Sequence, residues 1–256
     1  MFIDTHAHLD MEDYAEDIDR VLERARTGGV SHIISVGIDI PSSQKALELA
    51  ERYDFISSTV GFHPHNADNT DNAKVDELRR LATGSEKVVA WGEIGLDFYR
   101  HYSHVRNQIE IFELQLDTAL ELNLPVIIHD REAHDEILTI VKKRGQRPLI
   151  GVIHCFSGDY RLAMSFIELG WYISIPGTVT YKNALSVQEV AAKIPIERLL
   201  IETDAPFLSP LPFRGKRNEP LFVRHTAEKI AGLRDMDLDQ LAVRTTLNAK
   251  TLFGLT

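Results

Sequence analysis

The sequence predicts an α/β protein whose strands close into a single (β/α)8 TIM barrel. Short runs rich in valine and isoleucine alternate with longer amphipathic stretches, and most runs lack polar/apolar alternation, as is typical of parallel strands covered on both faces. An open doubly wound sheet is the alternative. Eight regularly spaced strands can instead close without an exposed edge, and roughly 250 residues is a common size for such a barrel. We therefore expect one domain over residues 1–256.

The predicted elements follow one another without a low-complexity break. The strands are the apolar runs Phe2–Ile3, His32–Val36, Ile56–Val60, Val88–Trp91, Pro125–Ile128, Leu149–Ile153, Trp171–Ile175 and Arg198–Ile201. Apolar residues at helical spacing predict helices over 17–26, 42–52, 75–81, about 103–122, 132–143, 161–169 and 184–193. Gly28-Gly29 should end the first helix, and Asp237 with Gln240 resembles a capping box that opens a last one. Pro206–Pro220 is the longest predicted loop.

Charge and cysteine content suggest an acidic protein of a reducing compartment. The formal net charge of −10 argues against nonspecific coating of nucleic acid, although it leaves room for a locally basic cleft. The single cysteine, Cys155, cannot form an internal disulfide. Neither a signal peptide nor a stretch long enough to span a bilayer is visible. We expect a cytoplasmic monomer without membrane contact.

Metal-ligating residue types lie at the ends of the predicted strands. Since the carboxyl ends of barrel strands open on one face, these residues should converge there. Residues at i and i+2 of an extended chain point the same way, so the first two histidines can grip one ion. A single member could be a core histidine or an ion pair, whereas chance does not explain six: His6, His8, Glu93, His129, His154 and Asp204. Four histidines and two carboxylates suffice for two divalent ions bridged by one carboxylate.

Several motifs in this pattern are together highly specific. They are DTHAHLD (4–10), GFHPH (61–65), GEIGLDFY (92–99), PVIIHDREA (125–133), HCFSG (154–158), IETDAPFLSP (201–210), RGKRNEP (214–220) and TTLNAKTLF (245–253). Through these motifs the whole chain resembles the TatD family of metal-dependent deoxyribonucleases, within the amidohydrolase-like barrels. No ligand position departs from the family pattern.

The resemblance implies that His6, His8 and Asp204 bind one ion. It implies that His129 and His154 bind the second ion, and that Glu93 bridges the two. A glutamate bridge separates this chain from barrel hydrolases that use a carbamylated lysine. The ions could be zinc, manganese, magnesium, iron or nickel, because imidazole and carboxylate suit all of these to different degrees.

Four residues are predicted to act on the reaction or to support it. Asp204 could accept the proton of the attacking water while touching one ion, and Glu93 would hold both ions at the reacting centre. His63 is predicted to contact the scissile phosphate or the leaving group. Glu202 alternates with Asp204 along the strand and is interpreted as a residue that orients a ligand or a basic side chain.

The other candidate residues would contact substrate. Arg214, Lys216 and Arg217 form the densest cationic cluster of the chain and are interpreted as phosphate-binding, the alternative being a solvated surface cluster. Nearer the fourth strand, Tyr99 and Arg100 could stack on a base or hold a phosphate. His65 could contact the phosphate or only support its loop. Cys155 is interpreted as a packing residue, since its side chain should point away from that of His154.

Three hypotheses for function follow. The first is a hydrolase with two metal ions that cleaves phosphodiester bonds in DNA, by resemblance as a 3′-5′ exonuclease on single-stranded ends. The second is a metal-dependent ester or amide hydrolase, such as a deacylase of mischarged tRNA. The third is a non-catalytic metal-binding partner in protein quality control, which the intact ligand set disfavours.

Overall fold

The computed structural model describes residues 1–144 and 149–255, and its eight strands form one parallel sheet in sequence order. The strands are β1 (Phe2–Ala7), β2 (Val30–Ser35), β3 (Ile56–Val60), β4 (Val88–Asp97), β5 (Val126–Arg131), β6 (Gly151–Ile153), β7 (Tyr172–Ile175) and β8 (Leu199–Ile201). All eight predicted strands are present. The predicted domain 1–256 also includes residues 145–148 and 256, which lie outside the described part of the chain.

The sheet closes between its first strand and the segment that follows its last. Ala7 and Ala205 form a parallel bridge, the His8 N–H donates to the Ala205 carbonyl over 2.7 Å, and the Asp204 N–H donates to the His6 carbonyl over 2.9 Å. Deeper in the barrel, the Thr5 hydroxyl donates to the Ile201 carbonyl over 3.0 Å. The predicted barrel is therefore confirmed, and the open sheet is wrong.

Nine helices are assigned within the described residues. They are α1 (Ile18–Thr27), α2 (Ile40–Arg52), α3 (Asn72–Gly84), α4 (Val105–Leu122), α5 (His134–Lys143), α6 (Tyr160–Ile167), α7 (Leu185–Lys193), α8 (Val223–Leu233) and α9 (Leu238–Phe253). The eight predicted helices are present, with ends that differ by a few residues, whereas α8 was not predicted. Its first turn follows a 3-10 turn at Pro220–Phe222 and has no capping side chain, so the usual helix-start signal is missing.

The predicted helix ends are formed by local contacts. Gly28 ends α1, and Gly29 follows with a φ of 94°, a conformation that favours glycine. The Asp237 carboxylate caps α9 by accepting from the N–H groups of Asp239 and Gln240 over 2.8 and 3.2 Å. Asp237 thus forms the first half of the predicted capping box.

Buried apolar residues fill the space inside the barrel as well as the space between sheet and helices. The inner cluster draws on seven strands, whose residues can meet only inside the barrel, and on Ala249, Leu252 and Phe253 of α9. Because α9 packs on the start of β1 and on β8, it covers the amino-terminal end of the barrel. The polar candidate residues lie at the opposite end, where the strands finish. No described helix is long and apolar enough to cross a membrane.

Candidate active site

Three of the strands extend further than predicted and carry candidate ligands inside them. β1 runs through His6, β4 runs past Glu93 to Asp97, and β5 runs past His129 to Arg131. On β5, Ile127 belongs to the inner apolar cluster, so His129 and Arg131, at i+2 and i+4, point to the same side farther along the strand. The structure brings all six candidate ligands together at this end of the barrel.

Four side-chain atoms enclose a first pocket. His6 Nε2 lies 3.3 Å from His8 Nε2. Glu93 Oε2 lies 3.4 and 3.6 Å from these two nitrogens, and Asp204 Oδ1 lies 3.7 and 3.5 Å from them. Ligands around a tetrahedral ion are about 3.4 Å apart when the bonds are about 2.1 Å long. The spacing of the four atoms therefore fits a divalent cation.

The second carboxylate oxygen of Glu93 faces a different set of histidines. Glu93 Oε1 lies 2.9 Å from His129 Nδ1, 2.8 Å from His154 Nε2 and 3.4 Å from His63 Nε2. Imidazole nitrogens from three histidines thus meet one carboxylate oxygen in a buried space, and these are atom types that bind a divalent cation. Each oxygen of Glu93 thus faces a separate pocket.

Carboxylates behind the histidines fix the orientation of the rings. Asp97 Oδ2 lies 2.8 Å from His65 Nε2 and 3.3 Å from His129 Nε2. Such a contact holds the proton of His129 on Nε2 and leaves Nδ1 free to face Glu93. Glu202 Oε1 accepts from the Cys155 N–H over 2.5 Å and lies 3.6 Å from His154 Nδ1.

A buried glutamine holds the turn that carries His63 and His65. Gln115 of α4 accepts from the Phe62 N–H over 2.8 Å and donates to the Phe62 carbonyl over 3.0 Å. Its carbonyl also accepts from Trp91 Nε1 over 3.2 Å. Because all these groups are buried, the hydrogen bonds fix the position of the turn after β3 relative to α4 and β4.

Close packing of β4 against β5 explains the glycine two residues after Glu93. Gly95 pairs with His129 and has a φ of 144°, and a β-carbon there would collide with the His129 carbonyl oxygen. Only glycine lets the two strands approach closely enough for Glu93 and His129 to meet.

The site holds ionised carboxylates among imidazoles whose pKa values differ in direction. Burial opposes protonation of His154, His8 and His129, but contacts with Glu93, Asp204 and Asp97 outweigh it and raise the pKa of His154, that of His8 to about 8, and that of His129. Burial opposes ionisation of Glu93, but the imidazoles of His154 and His63 outweigh it and keep the pKa of Glu93 well below its ordinary value. Burial likewise opposes ionisation of Asp204, and its contact with His8 outweighs this and lowers its pKa. Burial lowers the pKa of His63 to about 4. Metals bind anionic carboxylate and neutral imidazole, so a cation bound here would displace protons from these histidines.

The predicted substrate-contacting residues lie in the segments that follow β3, β4 and β8, and their contacts differ. The Arg217 guanidinium donates to both carboxylate oxygens of Asp17 over 2.8 Å, so its charge is already paired. Within the described chain, no ion pair engages Arg214 or Lys216, which lie over the rings of Tyr181 and Phe213 at 4.5 and 5.9 Å.

Near β4, Tyr99 and Arg100 are exposed, and the Arg100 guanidinium lies 5.4 Å from the Tyr99 ring centre. Cys155, by contrast, belongs to none of the potential metal-ligating clusters among the described residues.

Two further residues of the site were missed by sequence reasoning. Asp97, four positions after Glu93, supports two histidines, and Arg131, two positions after His129, lies 4.4 Å over the Tyr99 ring. The i+2 spacing from His129 could have identified Arg131. Asp97 is at the even spacing i+4 from Glu93, but its partners His65 and His129 come from other parts of the chain.

Comparisons with known proteins identify the family of this chain. Residues 3–254 match the family model described as TatD related DNase. A metal-dependent hydrolase of Bacillus subtilis, YabD, named as uncharacterized, is 45% identical over the full length of both chains. The 3′-5′ ssDNA/RNA exonuclease TatD of Erwinia amylovora is 41% identical over 98% of this chain and 99% of the relative.

A solved structure of a TatD homologue has the same fold. The crystal structure of YjjV, a TatD homologue from Escherichia coli, superposes with a TM-score of 0.94 at 33% identity, covering 100% of this chain and 98% of the other. The chain therefore belongs to the TatD-related DNase family and is a metal-dependent hydrolase.

Proposed function

We propose that this protein is a nuclease that hydrolyses phosphodiester bonds of DNA, acting from the 3′ end of single strands with two divalent ions. The observation that carries the proposal is Glu93, whose two oxygens face separate histidine pockets 3.4–3.6 Å and 2.8–3.4 Å away. Direction and substrate rest on the 41% identical relative that is named a 3′-5′ ssDNA/RNA exonuclease.

The ligand residues divide between the two pockets as the resemblance to the family implies. His6, His8 and Asp204 would hold one ion, His129 and His154 would hold the other, and Glu93 lies between the two sets. Bound divalent ions lower the pKa of water, polarise a phosphoryl oxygen and offset the charge that develops in the transition state.

Asp204 accepts a proton at the edge of the pockets, and His63 contacts the substrate there. The side chain of Asp204 is 13% exposed while that of Glu93 is 4% exposed, so Asp204 is the carboxylate that an attacking water reaches, and it accepts the proton. His63 lies 3.4 Å from Glu93 Oε1 with its ring neutral, where it contacts the scissile phosphate or the leaving oxygen.

Cations at the mouth counter the overall charge of −10 for an anionic substrate. Arg131 points to the same side as His129 and is exposed, so it is the basic side chain best placed to contact a phosphate next to the scissile bond. Arg100, Arg214 and Lys216 are exposed as well and extend this basic surface along the backbone of the substrate. Arg217 supports the loop through Asp17.

The test is product analysis with defined metal content. The protein is stripped by chelation, loaded with zinc, manganese, magnesium, iron or nickel in turn, and offered 5′-labelled single-stranded DNA, duplex DNA and acylated tRNA. We expect no hydrolysis without metal, and with metal a single strand that shortens stepwise from its 3′ end to release mononucleotides. Turnover by protein verified to be metal-free, or release of an amino acid from tRNA without DNA cleavage, would contradict the proposal.

Two glutamate variants control for the location of the chemistry. Glu93→Gln should abolish hydrolysis and reduce the number of ions bound per chain, since it removes the charge shared by the pockets. Glu86→Gln changes an exposed glutamate just before β4 in the same way and should leave both quantities unchanged.

A further inference from the structure

We propose that Tyr102 and Phe207 stack on nucleobases on the two sides of the scissile phosphate, so that the site takes a strand with unpaired bases. The inference rests on the proposed nuclease function and deepens it. Its basis is a pair of exposed aromatic rings, each in contact with a different part of the candidate metal centre.

Both rings are open to solvent beside the ligands. The exposed fraction is 65% for Tyr102 and 47% for Phe207. The strands that precede these residues, β4 and β8, are largely buried. The Tyr102 ring meets the His65 ring nearly at a right angle with centres 4.7 Å apart. The Phe207 ring meets the His8 ring at 66° with centres 6.1 Å apart. An edge-to-face contact leaves a ring face open, as a base-stacking platform requires.

The two rings flank opposite halves of the site. Phe207 lies beside His8, which belongs to the first pocket. Tyr102 lies beside His65, which shares Asp97 with His129 of the second pocket. A phosphodiester seated between the pockets has one nucleoside on each side, so one ring is available to each base.

Buried hydrogen bonds hold both platforms in place. The Asn218 side chain, fully buried, donates to the Phe207 carbonyl over 2.6 Å, and the Phe207 N–H donates to the Asp204 carbonyl over 2.8 Å. Next to Tyr102, the buried Ser103 hydroxyl donates to the His65 carbonyl over 2.8 Å. Because the backbone of each platform is ordered in advance, stacking on it costs little additional conformational entropy.

Tyr99, the other exposed aromatic residue here, serves a different purpose. The guanidinium of Arg131 lies 4.4 Å from its ring centre, and that of Arg100 lies 5.4 Å away. Its ring therefore positions cations for phosphate, while Tyr102 and Phe207 present surfaces to bases.

This division of labour predicts a preference for single strands. Bases of a duplex are paired and stacked on one another, so their faces cannot reach the two rings unless the end is unwound. Aromatic stacking accepts any base, and we therefore expect weak sequence preference.

The test combines changes in the protein with changes in the substrate. KM and kcat are measured on the metal-loaded enzyme with a short single-stranded oligonucleotide, and with versions that carry one tetrahydrofuran abasic nucleotide on either side of the cleaved bond. Alanine replaces Tyr102 or Phe207, and Phe207→Leu keeps an apolar side chain against His8 without an aromatic face. Leu247→Ala, on the exposed side of α9 at the opposite end of the barrel, is the matched control.

We expect KM of the intact oligonucleotide to rise roughly 5- to 160-fold in each aromatic variant, the range that alanine substitution gives for one stacked base. Metal content and the KM of Leu247→Ala should not change. One abasic nucleotide should raise KM of the wild type by a similar factor, but should have little further effect in the variant that lacks the matching ring. Phe207→Leu should behave like Phe207→Ala.

The outcomes distinguish a failure of the stacking role from a failure of the proposed nuclease function. Unchanged KM in the aromatic variants, or abasic penalties that add fully to theirs, would overturn the stacking role while leaving the nuclease intact. If the metal-loaded wild type cleaves none of the oligonucleotides, the proposed function fails, and the stacking role fails with it.

Discussion

Asp97→Asn should weaken binding of the second ion without disturbing the fold. One oxygen of Asp97 accepts the N–H groups of Tyr99 and Arg100 over 2.9 and 2.8 Å, and an asparagine oxygen can keep both contacts. The amide nitrogen would then replace Oδ2 opposite His65 Nε2 and His129 Nε2. Since an amide nitrogen only donates, His129 would have to carry its proton on Nδ1, the nitrogen that faces Glu93.

The expected loss follows from this change of tautomer. Removing a carboxylate that orients a metal-ligating histidine typically costs 10- to 100-fold in metal affinity, or about 1.4–2.7 kcal/mol. Only the pocket that contains His129 should be affected. The first pocket, around His6 and His8, has its own support, for example the 3.3 Å contact between His8 Nδ1 and the Val36 carbonyl.

The assay is competition for zinc or manganese against a chromophoric chelator, with the number of ions per chain counted independently. Asp130→Asn is the matched control, because Asp130 lies on the other side of β5 and pairs with His134 at 2.8 Å. Wild-type affinity for both ions in Asp97→Asn would refute the reasoning, as would an equal loss in Asp130→Asn.

Three further outcomes are expected. Asp204→Asn should lower kcat roughly 10²–10⁴-fold, as for other general bases, with the folded state retained by circular dichroism; an unchanged kcat would exclude proton transfer to this group. The double change of Arg214 and Lys216 to alanine should reduce the slope of log affinity for single-stranded DNA against log salt by about 1.4, at about 0.7 per phosphate contact, and an unaltered slope would mean that neither touches the backbone. Burial lowers the pKa of His32 to about 4, so between pH 6.5 and 4 the unfolded chain takes up a proton that the folded chain refuses, and stability falls as the pH falls. At 1.36 kcal/mol per pH unit the loss is at most about 3 kcal/mol, and urea unfolding at pH 7 and 4.5 should show a smaller loss in His32→Asn than in the wild type.

Local pattern was sufficient to predict the barrel and the cluster of candidate ligands. A buried parallel strand needs a run such as Ile56–Val60, and an amphipathic helix needs apolar residues at its own spacing, so both elements are visible within a few residues of chain. Barrel topology then brings the strand ends together. His6, Glu93 and Asp204 could therefore be expected to converge although they are far apart in sequence.

Only the tertiary structure decided how the clustered residues are oriented and supported. Asp97 acts on His65 and His129 across 32 residues of chain, and Arg217, predicted to bind phosphate, instead pairs with Asp17 across 200 residues. The rings of Tyr102 and Phe207 likewise contact histidines that are distant in sequence. Backbone pattern arises from neighbours along the chain, whereas the partner of a polar or aromatic side chain is set by whichever distant group packing places beside it.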